Sequence, residues 1–411
     1  MGLPKDNLEM VRAHVDVIIH AASSTHLAKH LAGLLDVVIR ASDMIGEFAI
    51  SCPKLDRFVY VSTAYANGRP SHAGDIEVDE RIYDLDNSAS ALEELAEVKK
   101  YGTSRVYEEN EFPWPYAYAK NLTERLLVHR FQDHGALHQL LIVRPSIIGP
   151  SQSVPYPGFC LPLSAPILIF TAGIASSKSG DMRIGTSLPD PNSQATFDEV
   201  PVDVVADRVI SHAAAGTAGA LHAVSGKRAR YKTRDAWHQA VRFRLNPWDL
   251  RLVWDPSGWN SPNQHYLSRI YRLLGASYAF SEQRTVELSR ALSPEERKEL
   301  QLFTRVKMCD LLPRREQHIR YIFDRTAPKG AKMTIATRIF EHNSGEQQVV
   351  IIMYIWYYVQ AKLPSQALNS IKKFIGISRR KLYIEGSERG PVCGRVNRSD
   401  AVEQEVLLVL I

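Results

Sequence analysis

The sequence predicts an α/β protein: a doubly wound parallel sheet with helices on both faces, joined to a smaller, mostly helical C-terminal region. Three observations carry this. Short apolar runs of buried-strand type recur at Val15 to His20, Phe58 to Val61, Leu140 to Val143 and Ala220 to Val224. Stretches with apolar residues at helical spacing separate them, which is the alternation of a parallel α/β sheet. From Trp254 onward the pattern turns mostly helical. The predicted organisation is a sheet domain over residues 1–250 with a substrate-side excursion at 151–198, a helical region at 251–330 and a tail at 331–411.

In chain order, Asn7 to His14 reads as a polar helix and VDVIIH as the first strand, followed by the small residues Ala21, Ala22, Ser23 and Ser24. Small residues at a strand end let another backbone or a cofactor come close. Leu27 to Ser51 carries Leu31, Leu34, Leu35, Val38, Ile45 and Phe48 at helical spacing, so it reads as one helix or two returning to the Phe58 strand in a right-handed crossover. Gly68 to Trp114 is a surface excursion around an acidic helical patch at Ala89 to Lys100. The helix that begins near Pro115 runs to about Asp133. Leu140 to Val143 is a strand, Pro145 ends its ladder and Gly149-Pro150 turns the chain. Glu199 to Ala214 starts with a turn and becomes an amphipathic helix. Arg234 to Leu245 is helical with Thr233 as its N-cap, and Ser293, Pro294 and Glu296 form a capped helix start. Val349 to Val359 is strongly apolar but shorter than the ~20 residues that span a bilayer.

Composition excludes several classes. The chain has 411 residues, 45% of them hydrophobic, enough for a full core. A net charge of +5 with scattered basic residues argues against nucleic acid as partner. Cys52, Cys160, Cys309 and Cys393 stand far apart without a CxxC pair, which speaks against a zinc site or a disulfide framework and suits a reducing compartment. No metal site is expected.

The chemistry is concentrated between Phe58 and Lys120. The run FVYV stops at Ser62 and Thr63, placing two hydroxyls at a strand's carboxyl end, where open α/β sheets bind ligands. Tyr116 and Lys120 are four residues apart on the following helix and share a face, whereas Tyr118 points elsewhere. A lysine charge beside a phenol favours its ionised form, lowering it from the usual value of about 10. Such a tyrosine can protonate the oxyanion formed when hydride adds to a carbonyl, and a strand-end hydroxyl can bond the same oxygen. Taken alone, tyrosine and lysine at this spacing more often form a solvated surface pair, so the surrounding motifs decide the reading.

Those motifs, in order, are VDVIIHAASSTHL, FVYVSTAYANG, YAYAK, LIVRPSIIGP, VPYPGF and DEVPVDVVADRVI. Together the series resembles the fatty acyl-CoA reductases, the male sterility branch of the extended short-chain dehydrogenases, whose sheet is Rossmann-like. The resemblance covers residues 1–235 well and 260–325 loosely. It implies Thr63 as the active-site hydroxyl, with Ser62 as the second choice, Tyr116 as the catalytic acid, and Lys120 as the lysine that holds the nicotinamide ribose and tunes the tyrosine. It implies Ala21, Ala22 and Ser23 beside the cofactor's adenine side and ribose, and Pro145, Ser146 and Ile147 beside the nicotinamide. Tyr116 and Lys120 thus count as cofactor contacts too. The implied activity is NADPH-dependent reduction of a long-chain acyl-CoA to aldehyde or alcohol. The implied setting is intracellular, in the cytoplasm or at the cytosolic face of an organelle membrane, with peripheral membrane contact left open. A reductase acting on a carrier-protein thioester, an inactive remnant and a nucleotide-sugar epimerase or dehydratase are the alternatives.

One departure accompanies the matches. The family's opening strand and GxxGxxG loop, which seat the pyrophosphate at a helix N-terminus, do not precede Val15. The sheet domain is therefore expected to be truncated at its N-terminal side. The chain as given is expected to bind NADPH poorly, to show little reductase activity, and to leave the Val15 to His20 strand with an unpaired edge.

Overall fold

The structure, a computed structural model, describes residues 4–68, 76–85, 90–161, 164–244, 247–305 and the backbone of 407–410. Its centre is a five-stranded parallel sheet in the spatial order Leu407–Leu410, Val15–His20, Arg57–Val61, Leu140–Pro145, Gly219–Ala223. The last four strands run across the sheet in sequence order. Each crossover between them carries a helix, as parallel pairing requires.

Strand alternation sorts the core into two layers. Val17, Ile19, Val59, Val61, Leu141, Val143 and Leu221 pack with the Val202–Ala214 helix. Ile18, Phe58, Tyr60, Leu140, Ile142 and Ala220 pack with Ile45 and Phe48 of the Ala41–Ile50 helix and with Leu127 and Phe131 of the Pro115–Asp133 helix. The two sets differ by one residue of register, so each face is buried by its own helix layer. That is why these strands read as unbroken apolar runs rather than as alternating ones.

The region from Ser151 onward supplies the last strand of the central sheet and further elements around it. Pro166–Ser176 is a helix whose residues Ile167 to Ile174 are all buried, against Trp237, Leu267 and Tyr271 among others. Gly180–Gly185 pairs in parallel with Leu250–Asp255, and Ile76–Val78 pairs with Tyr278–Phe280. Two short strands thus stand among the helices of the later region. Close backbone packing marks the first pair: a Cβ on Gly185 would come 2.1 Å from the Gly258 carbonyl oxygen. Backbone cannot yield as a side-chain tip can. Gly185→Ala is therefore expected to lower stability by about 1–3 kcal/mol in denaturant unfolding, and an unchanged midpoint would show that the strand has room to shift.

Several expectations are corrected. The Val15–His20 edge is paired: Val15, Val17, Ile18 and Ile19 align with Leu407, Leu408, Val409 and Leu410, with an irregularity between Val15 and Val17. An open edge leaves a row of backbone donors and acceptors, and a distant apolar segment supplies their partners. The turn expected at Glu199 is a strand, Glu199–Pro201, held parallel to Ile147–Gly149. Pro145 ends its ladder as expected, as the last rung opposite Ala223. Thr233 is the first helical residue rather than the cap; Lys232 takes the extended cap position without a side-chain bond. Within the region expected to be mostly helical, His265 caps only a short helix, Tyr266–Ile270, followed by a 3-10 turn at Arg272–Gly275. The capping boxes at Ser90–Glu93 and Ser293–Glu296 are both formed. Among the described residues no helix is long and apolar enough to cross a membrane. The Val349 to Val359 segment, Cys309 and Cys393 lie outside the described residues.

Candidate active site

The site lies where the parallel strands end. The buried Arg57–Val61 strand delivers Ser62, whose N–H donates to the Val143 carbonyl at 2.7 Å, and then Thr63. Thr63 caps the short 3-10 helix Ala64–Asn67: its hydroxyl oxygen lies 3.4 Å from the Tyr65 N–H and 3.5 Å from the Pro145 carbonyl oxygen. These are long contacts. The neighbouring Ser62 hydroxyl is buried and has no hydrogen-bond partner among the described residues.

The Pro115–Asp133 helix presents Tyr116 and Lys120. Pro115 sits at its first position, where a missing N–H costs nothing, and Trp114 caps it with extended backbone. The Trp114 indole N–H donates to the Ile270 carbonyl at 2.6 Å, tying the helix start to the later region. Tyr118 turns away to a separate buried network, with its hydroxyl 2.6 Å from Ser104 Oγ and 2.8 Å from the Glu94 carboxylate. Glu94 in turn pairs with Arg125.

Lys120 is fully buried and donates to the Val61 carbonyl at 2.9 Å. Its ammonium stands 4.6 Å from the centre of the Tyr60 ring and 6.0 Å from that of Tyr116. Burial pushes its pKa down to about 7, against the opposing pull of the Glu124 charge. Burial likewise pushes the Tyr116 phenol well above its ordinary value. The expected depression of the phenol by the lysine is therefore corrected in this state, because loss of water outweighs a charge at that distance.

Lys120 yields a stability prediction with a definite sign. Its native pKa of about 7 lies below the unfolded value of about 10.4, so between these two the unfolded chain binds more protons and stability rises with pH. Below pH 7 the full cost of a buried charge is present. Lys120→Met removes that cost, so its advantage over the parent should be largest near pH 6 and shrink toward pH 10 in urea unfolding. Parallel curves for the two proteins would refute a depressed lysine.

Eight of the nine residues singled out in the sequence line one cavity of about 200 Å³: Ala21, Ser23, Thr63, Tyr116, Lys120, Pro145, Ser146 and Ile147. Ala22 is not among the lining residues. Ser62 is. The same cavity is lined by apolar side chains that sequence reasoning missed, including Phe159, Ile169, Phe197, Tyr271 and Leu273. Phe159 sits in VPYPGF and Ile169 in the hydrophobic stretch after it, so the excursion offered a signal. Tyr271 and Leu273 come from a region that carried none. Asp198, behind this wall, also escaped notice.

A five-stranded parallel sheet with helices on both faces, and a cavity at its strand ends lined by a hydroxyl, a tyrosine and a lysine, define a Rossmann-type fold. The chain belongs to the male sterility protein family of NAD-binding domains, whose sequence profile matches residues 1–209. Similar proteins include the fatty acyl-CoA reductase 2 of Bos taurus, 25% identical over 217 residues, or 51% of this chain and 38% of the relative. The fatty acyl-CoA reductase 1 of Homo sapiens is 29% identical over 218 residues, 52% of this chain and 39% of the relative. The matched stretch thus spans less than two-fifths of the relatives' length. Among solved structures, a dTDP-glucose 4,6-dehydratase from Streptomyces venezuelae superposes with a TM-score of 0.46 at 16% identity, covering 78% of this chain and 77% of that one. The terminal R domain of the myxalamid biosynthetic pathway gives 0.47 at 13% identity, covering 79% and 72%.

Proposed function

We propose that this site reduces the carbonyl of a long-chain acyl thioester, acyl-CoA before carrier-bound chains, with NADPH as the reductant and an aldehyde or alcohol as the product. One observation carries the reading: Thr63, Tyr116 and Lys120 line the same cavity as an apolar wall suited to a hydrocarbon chain. The nicotinamide half of the cofactor fits the donors present. Lys120 is buried at the cavity, Pro145 to Ile147 line it, and the Ser62 hydroxyl is a buried polar group without a partner among the described residues. When bound, the nicotinamide supplies a hydride to the carbonyl carbon.

The chain's own residues handle the charge that results. Tyr116 stays protonated through the neutral range and donates its proton to the carbonyl oxygen. Thr63 donates a hydrogen bond to that oxygen. Lys120, charged below about pH 7, holds the ribose and supports the phenolate left on Tyr116. The apolar wall excludes water, which strengthens each of these interactions. Contact with a cytosolic membrane face, where such substrates partition, belongs to the same proposal.

The test supplies palmitoyl-CoA and NADPH to the 411-residue chain, and to the same chain fused behind a strand–GxxGxxG–helix unit. The fused protein is expected to consume NADPH and release free CoA thiol, and the chain alone to do so weakly. NADPH binding by the fused protein without thiol release would overturn the thioester reading, and turnover of a UDP-sugar instead would assign the site to epimerase or dehydratase chemistry.

A further inference from the structure

Asp198 stands between two short strands, Thr196–Phe197 and Glu199–Pro201, and is buried. It is not among the cavity-lining residues. Its carboxylate gathers three donors from two other segments. Oδ1 accepts from Ser146 Oγ at 2.6 Å and from the Ser225 N–H at 2.9 Å, and Oδ2 accepts from the Gly226 N–H at 3.0 Å. Its backbone carbonyl accepts from the Ile147 N–H at 3.2 Å and lies 3.5 Å from the Tyr65 hydroxyl.

The segments held this way are the ones that shape the site. Ser146 and Ile147 line the cavity directly after the Leu140–Pro145 strand. Tyr65 follows Thr63 by two residues and is wedged edge-on among Trp114, Tyr278 and Phe280. Ser225 and Gly226 form the turn after the Gly219–Ala223 strand. Thr63 itself touches this assembly through the Pro145 carbonyl. We propose that Asp198 is a positioning residue whose carboxylate clamps the Pro145–Ile147 wall to the Ser225–Gly226 segment, and so fixes the Pro145 carbonyl against which the Thr63 hydroxyl stands. Removing the carboxylate therefore unties the Ser146 side of the cavity from the segment after the Gly219–Ala223 strand, without touching either Tyr116 or Lys120 and leaving the backbone carbonyl beside Tyr65 in place. The effect on turnover rests on the reductase reading above; the effect on structure does not.

The test combines hydrogen exchange with steady-state kinetics on Asp198→Ala, Asp198→Asn and Ser146→Ala in the same chains. Asparagine keeps one acceptor for Ser146 and Ser225 but opposes a donor to the Gly226 N–H. Exchange in residues 145–149 and 224–226 is expected to quicken, by about 2–10-fold at 145–149 for the single tie lost in Ser146→Ala and by more in Asp198→Ala, with Asp198→Asn between. The strand Val15–His20 should keep its protection. With palmitoyl-CoA, kcat should fall on the order of 10²-fold in Asp198→Ala while KM holds, and Asp198→Asn should recover most of it. Unchanged exchange at 145–149, or loosening spread evenly over all the strands, would overturn the clamp, as would full kcat alongside quickened exchange. Should Asp198→Ala not fold, Ser146→Ala and Asp198→Asn carry the same comparison. An inactive parent in the fused form would count against the reductase reading, and the exchange pattern would still decide the clamp.

Discussion

Replacing Tyr116 by phenylalanine is expected to lower thioester turnover on the order of 10²–10⁴-fold while nucleotide binding stays nearly unchanged. The substitution deletes one hydroxyl and keeps the ring that lines the cavity. Lys120 keeps its place, because its ammonium is held by the Val61 carbonyl rather than by the phenol. Lys120→Ala should differ by harming binding and turnover together. The pH profile offers a second check. Burial holds the Tyr116 proton well past neutrality, so the first group to titrate as pH rises is Lys120, near 7. The value of kcat/KM in the parent should therefore fall as pH rises through that region. Near-normal turnover of Tyr116→Phe would mean that another group supplies the proton.

Glu124→Ala is expected to cost about 3–5 kcal/mol of stability, more than any other single change considered. Glu124 follows Lys120 by one helical turn and pairs with Arg144 at the end of the Leu140–Pro145 strand. The pair is two-pronged, with Arg144 Nε at 3.0 Å and Nη2 at 2.6 Å from the two carboxylate oxygens. The side chains are 0% and 1% exposed, so truncating the glutamate strands a guanidinium that water cannot reach. The Arg81 carbonyl, at 2.8 Å from Nη1, would be its remaining support. Arg144→Met together with Glu124→Leu should restore much of the loss, since the apolar pair removes both charges at once. Denaturant unfolding of the single and double variants decides this; equal losses in both would point to packing rather than charge. Glu124 also helps to keep Lys120 protonated, so Glu124→Gln should move the lysine's titration further below 7. The structural ion pair and Lys120 are thus coupled along one helix.

The site was legible in the sequence to the extent that it rests on local periodicity. Four-residue spacing on a helix put Tyr116 and Lys120 on one face, and the end of an apolar run put Ser62 and Thr63 at a strand terminus. Both features survive folding because they depend on backbone geometry within one element. The pKa direction of Tyr116 was misjudged for a different reason. A charge four residues away is visible in the sequence, whereas desolvation depends on everything that packs around the phenol.

What the sequence determined by itself was the central frame and its order: the buried strands of the sheet, the crossover helices, the capping box at Ser293 and the strand-end hydroxyls. Each is set by spacing, capping or propensity within a dozen residues or so. Only the tertiary structure decided which distant segments meet. It placed Leu407–Leu410 against Val15–His20, brought Tyr271 and Leu273 to the cavity beside Phe159 and Ile169, and gathered Ser146, Ser225 and Gly226 on the Asp198 carboxylate. Such pairings leave no period in the chain. They follow from which backbone edges need partners and which apolar faces need cover, and those demands are met only when the whole chain has packed.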